Sequence, residues 1–213
     1  MISLTLPDFA RDWPHVTDIL GVRWGENDFR DSQGGTEAFH AKGQLGREFH
    51  DLVHAHILHK DADIWPSESI INRFNAWKRW WDSNGGKVIA VEFPVWSETY
   101  QYQGAPDLLY LGPDGLVLPD WKNSAVLLPT YPLQLAAYKF ALLDMFKHGV
   151  FEAYGYTLDE FKAMKRVLVK IDEEKADPKT LPEKQYPLDL AAFTQLRAAS
   201  QYLKIKFKPR EED

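Results

Sequence analysis

The chain of 213 residues contains no cysteine. Disulfides and thiolate metal sites are therefore excluded. It has no uninterrupted apolar run long enough to span a bilayer. Its first residues, Met1-Ile2-Ser3-Leu4-Thr5-Leu6-Pro7-Asp8, lack the basic start and apolar core of a secretory leader. A cytoplasmic protein, or one in a host cytoplasm if viral, is the expectation, with no membrane partner. No internal repeat emerges. Positive charge is not in excess either: 25 Lys and Arg stand against 31 Asp and Glu, a net charge of -6. That sum looks unsuited to a phosphate-rich partner, because affinity for phosphates comes largely from Lys and Arg. It is only global, however. Arg73, Lys78, Arg79, Lys139, Lys147, Lys162, Lys165 and Arg166 are candidates for a local basic surface, with scattered solvated charges as the alternative.

What is present suits one domain over residues 1–213, since 45% of the residues are hydrophobic and 26% are charged, as in ordinary globular proteins. The chain is organised around Gly104 to Tyr138. Leu108-Leu109-Tyr110-Leu111 is a short apolar run, Gly112-Pro113-Asp114-Gly115 has turn chemistry, and Leu116-Val117-Leu118 begins a second run. A β-hairpin follows, with Asp107 entering it and Asp120 leaving it. Side chains alternate across a strand, so Leu116, Leu118, Asp120 and Lys122 share one face and Val117, Pro119 and Trp121 the other. Two carboxylates at the ends of buried strands repel each other, and burying either charge is unfavourable unless it is paired or bound to metal. A divalent cation such as Mg2+ resolves both problems, and the Lys122 ammonium beside it is placed to orient or help deprotonate a water.

The triplet Asp120-Trp121-Lys122 is not distinctive alone. Glu160-Phe161-Lys162, Glu173-Glu174-Lys175 and Asp177-Pro178-Lys179 repeat its acid-x-Lys pattern. Asp120 differs in following an apolar strand, with an acid at the start of the partner strand and a helix close behind. Pro106-Asp107, twelve residues, then Asp120-Trp121-Lys122 resembles the PD-(D/E)XK nuclease signature. Gln134-Leu135-Ala136-Ala137-Tyr138 resembles the Gln-x-x-x-Tyr helix of the RecB-like and lambda-exonuclease-like branch, and Gly46-Arg47-Glu48-Phe49-His50 its Gly-x-x-x-His element.

The rest of the chain supplies the setting. Residues 1 to about 40 read as a short opening segment and a loop, in which Val16-Thr17-Asp18-Ile19-Leu20 resembles the opening of phage-type relatives. Thr36 to His59 has an amphipathic helical pattern that Gly43 leaves open to interruption. His54, His56 and His59 read as surface or structural residues. A zinc pair of His50 and His54 lacks the His-Glu-x-x-His string. Pro66 to Asp82 is a second helix, in which Ile70, Ile71, Phe74, Trp77, Trp80 and Trp81 fall at helical spacing and the tryptophans read as core, with Arg73, Lys78 and Arg79 decorating it. Lys87 to Trp96 reads as a strand with Ile89, Val91, Phe93 and Val95 on one face and Glu92 on the other. Pro132 and Gly149 bracket a further helix. Gly149 to Thr157 and Arg166 to Asp172 read as strands, 173–186 as a polar loop, and 187–207 as a terminal helix.

The expected fold is α/β: a mixed, largely antiparallel sheet flanked by helices. The resemblance spans roughly residues 16 to 172 with four motifs in the family's order. It implies a metal-dependent DNA nuclease, an exonuclease acting on linear DNA in recombination, repair or phage DNA processing. It places Glu92, Asp107 and Asp120 around Mg2+ or Mn2+ with help from His50 and the carbonyl of Trp121, and gives Lys122 the attacking water and Gln134 and Tyr138 supporting roles. Some RecB-like relatives carry a four-cysteine iron-sulfur cluster, which this chain cannot. Implied company is DNA, with a homo-oligomer or a recombination partner protein left open. The rival readings are a non-catalytic or complex-dependent nucleic-acid-binding subunit of the same fold, and a structure-directed endonuclease.

Overall fold

The computed structural model describes residues 1–21, 35–62, 64–123 and 126–206. The polar stretch expected as a loop falls largely on 22–34, outside them. The described elements are α1 (Val16–Gly21), α2 (Gly35–Ile57), α3 (Glu68–Asn84), β1 (Lys87–Val91), β2 (Val95–Ser97), β3 (Tyr102–Gly104), β4 (Leu108–Gly112), β5 (Gly115–Lys122), α4 (Tyr131–Met145), α5 (Leu158–Lys162), β6 (Lys165–Ile171), β7 (Ala176–Thr180) and α6 (Tyr186–Lys206). Five strands form one sheet in the order β1-β4-β5-β6-β7, while β2 and β3 pair apart from it. The sheet is mixed, as expected: every pairing is antiparallel except β5 with β6. That parallel pair requires a crossover, which α4 provides. No described helix is long and apolar enough to cross a membrane.

Helices cover both faces, and β5 shows why. Its side chains alternate between two apolar clusters. Leu116 and Leu118 join Leu135, Tyr138 and Leu142 of α4, Ile19 of α1 and Phe193 of α6. Val117 and Trp121 join Phe49 and Val53 of α2 and Ile70, Trp77 and Trp80 of α3. The central strand is thus buried on both sides. The aromatic packing is dense there: Trp121 meets Trp77 at 5.8 Å between ring centres and Trp80 at 6.4 Å. Trp77 and Trp80 are core, as the helical spacing predicts, whereas Ile71 of the same set is exposed.

Several elements differ from the sequence reading. Helix α2 runs through Gly43 without a break. The strand expected over Lys87–Trp96 ends at Val91, and its register against β4 slips between Val88 and Ala90. This bulge puts Ile89 and Ala90 together in the α4-side cluster and leaves Val88 and Val91 against the other, so the predicted Ile89-Val91 face does not exist. Gly149 to Thr157 forms short helical turns in place of a strand. Gly149 and Gly155 take φ of +67° and +81°, and Phe151 alone of this stretch is fully buried, packed against Phe146 and Phe161. The polar loop expected over 173–186 contains β7, paired antiparallel with β6. As an edge strand carrying Asp177, Pro178 and Lys179 exposed, it has no apolar alternation to reveal it.

Candidate active site

The β4–β5 hairpin brings the two aspartates together. The hairpin is paired from Gly112 and Gly115 to Tyr110 and Val117; Asp107 just precedes β4, and Asp120 lies near the end of β5. The Trp121 amide donates to Oδ2 of Asp107 at 3.1 Å, fixing that carboxylate against β5. On the other side of Asp107, Nδ1 of His50 lies 3.5 Å from Oδ1. Asp120 is 2% exposed; its Oδ1 accepts from Lys122 Nζ at 2.9 Å, while its Oδ2 is buried without a partner.

Electrostatics follow from this burial. Desolvation is the largest influence on both acids, and despite the nearby Lys122 it pushes Asp107 and Asp120 each up to about 6. Repulsion from Glu92 adds to the rise of Asp107, and repulsion from Asp107 to that of Asp120. For Lys122, burial works against the charged form, but Asp120 and Asp107 together outweigh it and hold the ammonium above its ordinary range. His50 is lowered, chiefly by burial and then by Lys122, so its neutral imidazole is favoured.

Helix α4 continues the network. Lys122 Nζ also donates to Gln134 Oε1 at 3.2 Å, and Gln134 Nε2 donates to the Tyr138 hydroxyl at 3.1 Å. The i, i+4 spacing of Gln134 and Tyr138 puts both on the helix face that meets β5. Burial raises the Tyr138 phenol, which stays neutral and accepts that bond. The Tyr131 ring lies 4.7 Å from Lys122 Nζ, a cation–π contact that the sequence reading missed; its place beside Pro132 at the helix start was the available signal.

Glu92 reaches the edge of this group by an unusual route. It follows the end of β1 with φ of +41°, and its amide donates to the Asp107 carbonyl at 3.1 Å. Its carboxylate lies 3.3 Å from Nδ1 of His54. His54 was expected to be a surface or structural residue, yet it is one turn beyond His50 on α2, so successive turns present one imidazole to Asp107 and one to Glu92. Trp121 contributes its amide here, with its ring in the core.

The donors suit a hard divalent cation: the buried carboxylate of Asp120 with an unpartnered oxygen, the partly buried carboxylate of Asp107, a third acid at the edge and a neutral imidazole. Among the described residues, no three of these groups converge tightly enough to hold an ion as they stand. Each acid instead has one basic side chain beside it, giving the pairs His50–Asp107, His54–Glu92 and Lys122–Asp120.

Each of the eight residues considered for a basic surface has a partner within the chain, and two of them lie in the interior. Lys139 and Arg166 are buried, bound to Glu183 and Asp189. Arg73 and Arg79 donate to main-chain carbonyls. Lys78, Lys147, Lys162 and Lys165 pair with Asp82, Asp144, Asp159 and Asp114.

No family model and no curated protein matches the sequence. Among solved structures, the chain is similar to the crystal structure of LHK-Exo in complex with dAMP, at 13% identity over 93% of this chain and 95% of that one, with a TM-score of 0.32. At that level of superposition no residue role carries over.

Proposed function

We propose that this chain is a metal-dependent deoxyribonuclease of the PD-(D/E)XK superfamily, in its RecB-like and lambda-exonuclease-like branch. The observation that supports it most is the continuous arrangement Asp107, Asp120, Lys122, Gln134, Tyr138. Five residues selected by motif alone meet beside the end of β5 and on one helix face: the Trp121 amide holds Asp107 next to Asp120, and Lys122 bonds both Asp120 and Gln134, which bonds Tyr138.

In this reading Asp107 and Asp120 hold Mg2+ or Mn2+, with Glu92, His50 and the Trp121 carbonyl completing the set. The ion, when bound, supplies Lewis acidity to the phosphate and a water of lowered pKa. The protein's own groups do the remaining work. Lys122 is cationic in this environment, so its Nζ donates hydrogen bonds to the attacking water or the phosphate oxygens and does not itself remove a proton. Gln134 fixes the direction of that ammonium, and Tyr138 fixes Gln134. His50 contributes a neutral nitrogen, consistent with ligation and not with acid catalysis.

The substrate proposed is linear DNA, attacked from an end. A sequence-reading endonuclease must deliver side chains to base edges in a groove, and no insertion suited to that task stands out among the described elements. Sequence-independent backbone contacts make activity fall as salt rises. A role in recombination, repair or phage DNA processing, in a cytoplasmic setting and in a homo-oligomer or with a recombination partner protein, fits this chemistry. The test compares end-labelled linear and closed circular DNA of one sequence with and without Mg2+. Mg2+-dependent loss of linear DNA alone is expected; equal cleavage of both forms favours a structure-directed endonuclease, and no cleavage of either favours a binding subunit.

A further inference from the structure

Lys122 is the last residue of β5, and the backbone just beyond it is held by something other than the strand ladder. Strands β5 and β6 are parallel, with Lys122 beside Lys170, so the carbonyls of Asn123 and Ile171 emerge at the same end of the sheet. One guanidinium takes both. Arg73 of α3 donates from Nη1 to the Asn123 carbonyl at 2.7 Å and to the Ile171 carbonyl at 3.4 Å. Its Nε lies 3.5 Å from Ser69 Oγ, and its Nη2 lies 3.7 Å from Glu173 Oε1, which accepts from Ser69 at 2.5 Å. Asn123 in turn donates from Nδ2 to the Leu45 carbonyl on α2, little more than a turn before His50.

We propose that Arg73 is a positioning residue for Lys122. It ties the residue after Lys122 to α3 and β6 and, through Asn123, to the helix that carries His50. The Lys122 ammonium is thereby kept between Asp120 and Gln134. The planar fork of arginine suits this task, because its donors reach two carbonyls and an acid from one rigid group. Arg73 is basic and lies on a helix beside the site, so a phosphate contact is the competing role. Its bonds argue otherwise: the side chain is 24% exposed and its donors face inward. For its activity readout the proposal rests on the nuclease reading above.

The test uses Arg73→Met and Arg73→Lys in the full chain, with melting temperature, kcat and KM on linear DNA in Mg2+, DNA affinity against salt, and amide hydrogen exchange at residues 120–123. Loss of an outer partner of a metal-site group lowers activity about 10–100-fold. Arg73→Met is expected to lose kcat in that range with KM and the salt slope of affinity unchanged. Exchange should quicken at 120–123 while the β4 amides keep their protection. Arg73→Lys, which keeps the charge and one donor, should recover part of kcat, and it carries the test alone if Arg73→Met does not fold. Weakened affinity with a salt slope reduced by about one ion would identify a phosphate contact and overturn the proposal. Unchanged kcat with unchanged exchange overturns it as well. Should the wild-type protein cleave no DNA, the nuclease reading fails by itself. Exchange at 120–123 then decides for Arg73, faster supporting the clamp and unchanged rejecting it.

Discussion

Lys122 and Gln134 are joined by a 3.2 Å hydrogen bond from Nζ to Oε1, and this contact ties the end of β5 to the first turns of α4. Gln134 uses its other end on the Tyr138 hydroxyl, so each group has one defined direction. Replacing Gln134 with Ala is expected to lower kcat about 10–100-fold while leaving a measurable rate, because the amide orients Lys122 and holds no metal. Tyr138→Phe removes only the outer bond and should lose less. Steady-state kinetics on linear DNA check both, and untouched kinetics in Gln134→Ala would reduce the amide to packing.

Asp120→Asn separates stability from activity. The buried Oδ2 has no partner and desolvation pushes the carboxyl up to about 6, so a charge at this position destabilises the metal-free fold at neutral pH. The amide keeps an oxygen for Lys122 and removes that charge. The variant is expected to lose Mg2+-dependent cleavage yet to be more stable than the wild type at pH 8 without metal, by on the order of 1–3 kcal/mol. At pH 4 the difference should vanish. Chemical denaturation at the two pH values measures it.

The same two acids make one contribution to the pH dependence of stability, opposed by groups that the fold holds low, among them Asp144, Asp172 and the imidazoles of His15, His50 and His56. Asp107 and Asp120 are raised in the folded state above their unfolded value, so the folded form binds more protons between about pH 4 and 6. Their contribution is fully present below about 4 and is lost as pH rises through about 6. Melting temperature in EDTA should therefore decline across that window relative to an Asp107→Asn, Asp120→Asn double variant, which lacks this contribution and shares the opposing ones. Added Mg2+ should restore it above pH 6 and do little at pH 5, where protons compete for the same oxygens. Equal Mg2+ effects at pH 5 and 8 would count against ligation by these carboxylates.

Gly104 of β3 tests the packing behind Tyr138. A Cβ there would fall 2.5 Å from Tyr138 Cε1 and 3.2 Å from a methyl of Val16. Gly104→Ala must move the ring that orders Gln134, so it should destabilise the fold by about 1–3 kcal/mol and also lower kcat. Lost stability with full activity would show that the Tyr138 contact has no functional weight.

The legible parts of this chain were those with a period or a motif. The alternation of Leu116, Leu118, Asp120 and Lys122 placed the acid and the lysine on the α4 face of β5, as found. Where the structure departed, a local irregularity or a polar edge was responsible. One bulged residue in β1 broke the predicted face of Ile89 and Val91. The β7 strand had no apolar pattern because its side chains face solvent. Two of the candidates for a local basic surface proved to be buried, since partners such as Glu183 for Lys139 and Asp189 for Arg166 are set by tertiary packing and leave no trace in sequence spacing.

The crossover between β5 and β6 also sets an order of events. The β4–β5 hairpin is local and can form as soon as Lys122 has been made, but the parallel partner of β5 begins at Lys165, beyond α4 and α5. Closing that long loop is slow relative to forming a hairpin. A nascent chain would therefore bring Asp107 and Asp120 together well before Ile171 and Arg73 could meet at the end of β5. The expected consequence is that the motif residues, all synthesised by Tyr138, remain an unsupported pair of acids until the last strands dock, so an incomplete chain is an inactive one. A fragment ended after Thr157 should show no slowly exchanging amides in β5; protection there would mean that the hairpin stands without its parallel neighbour.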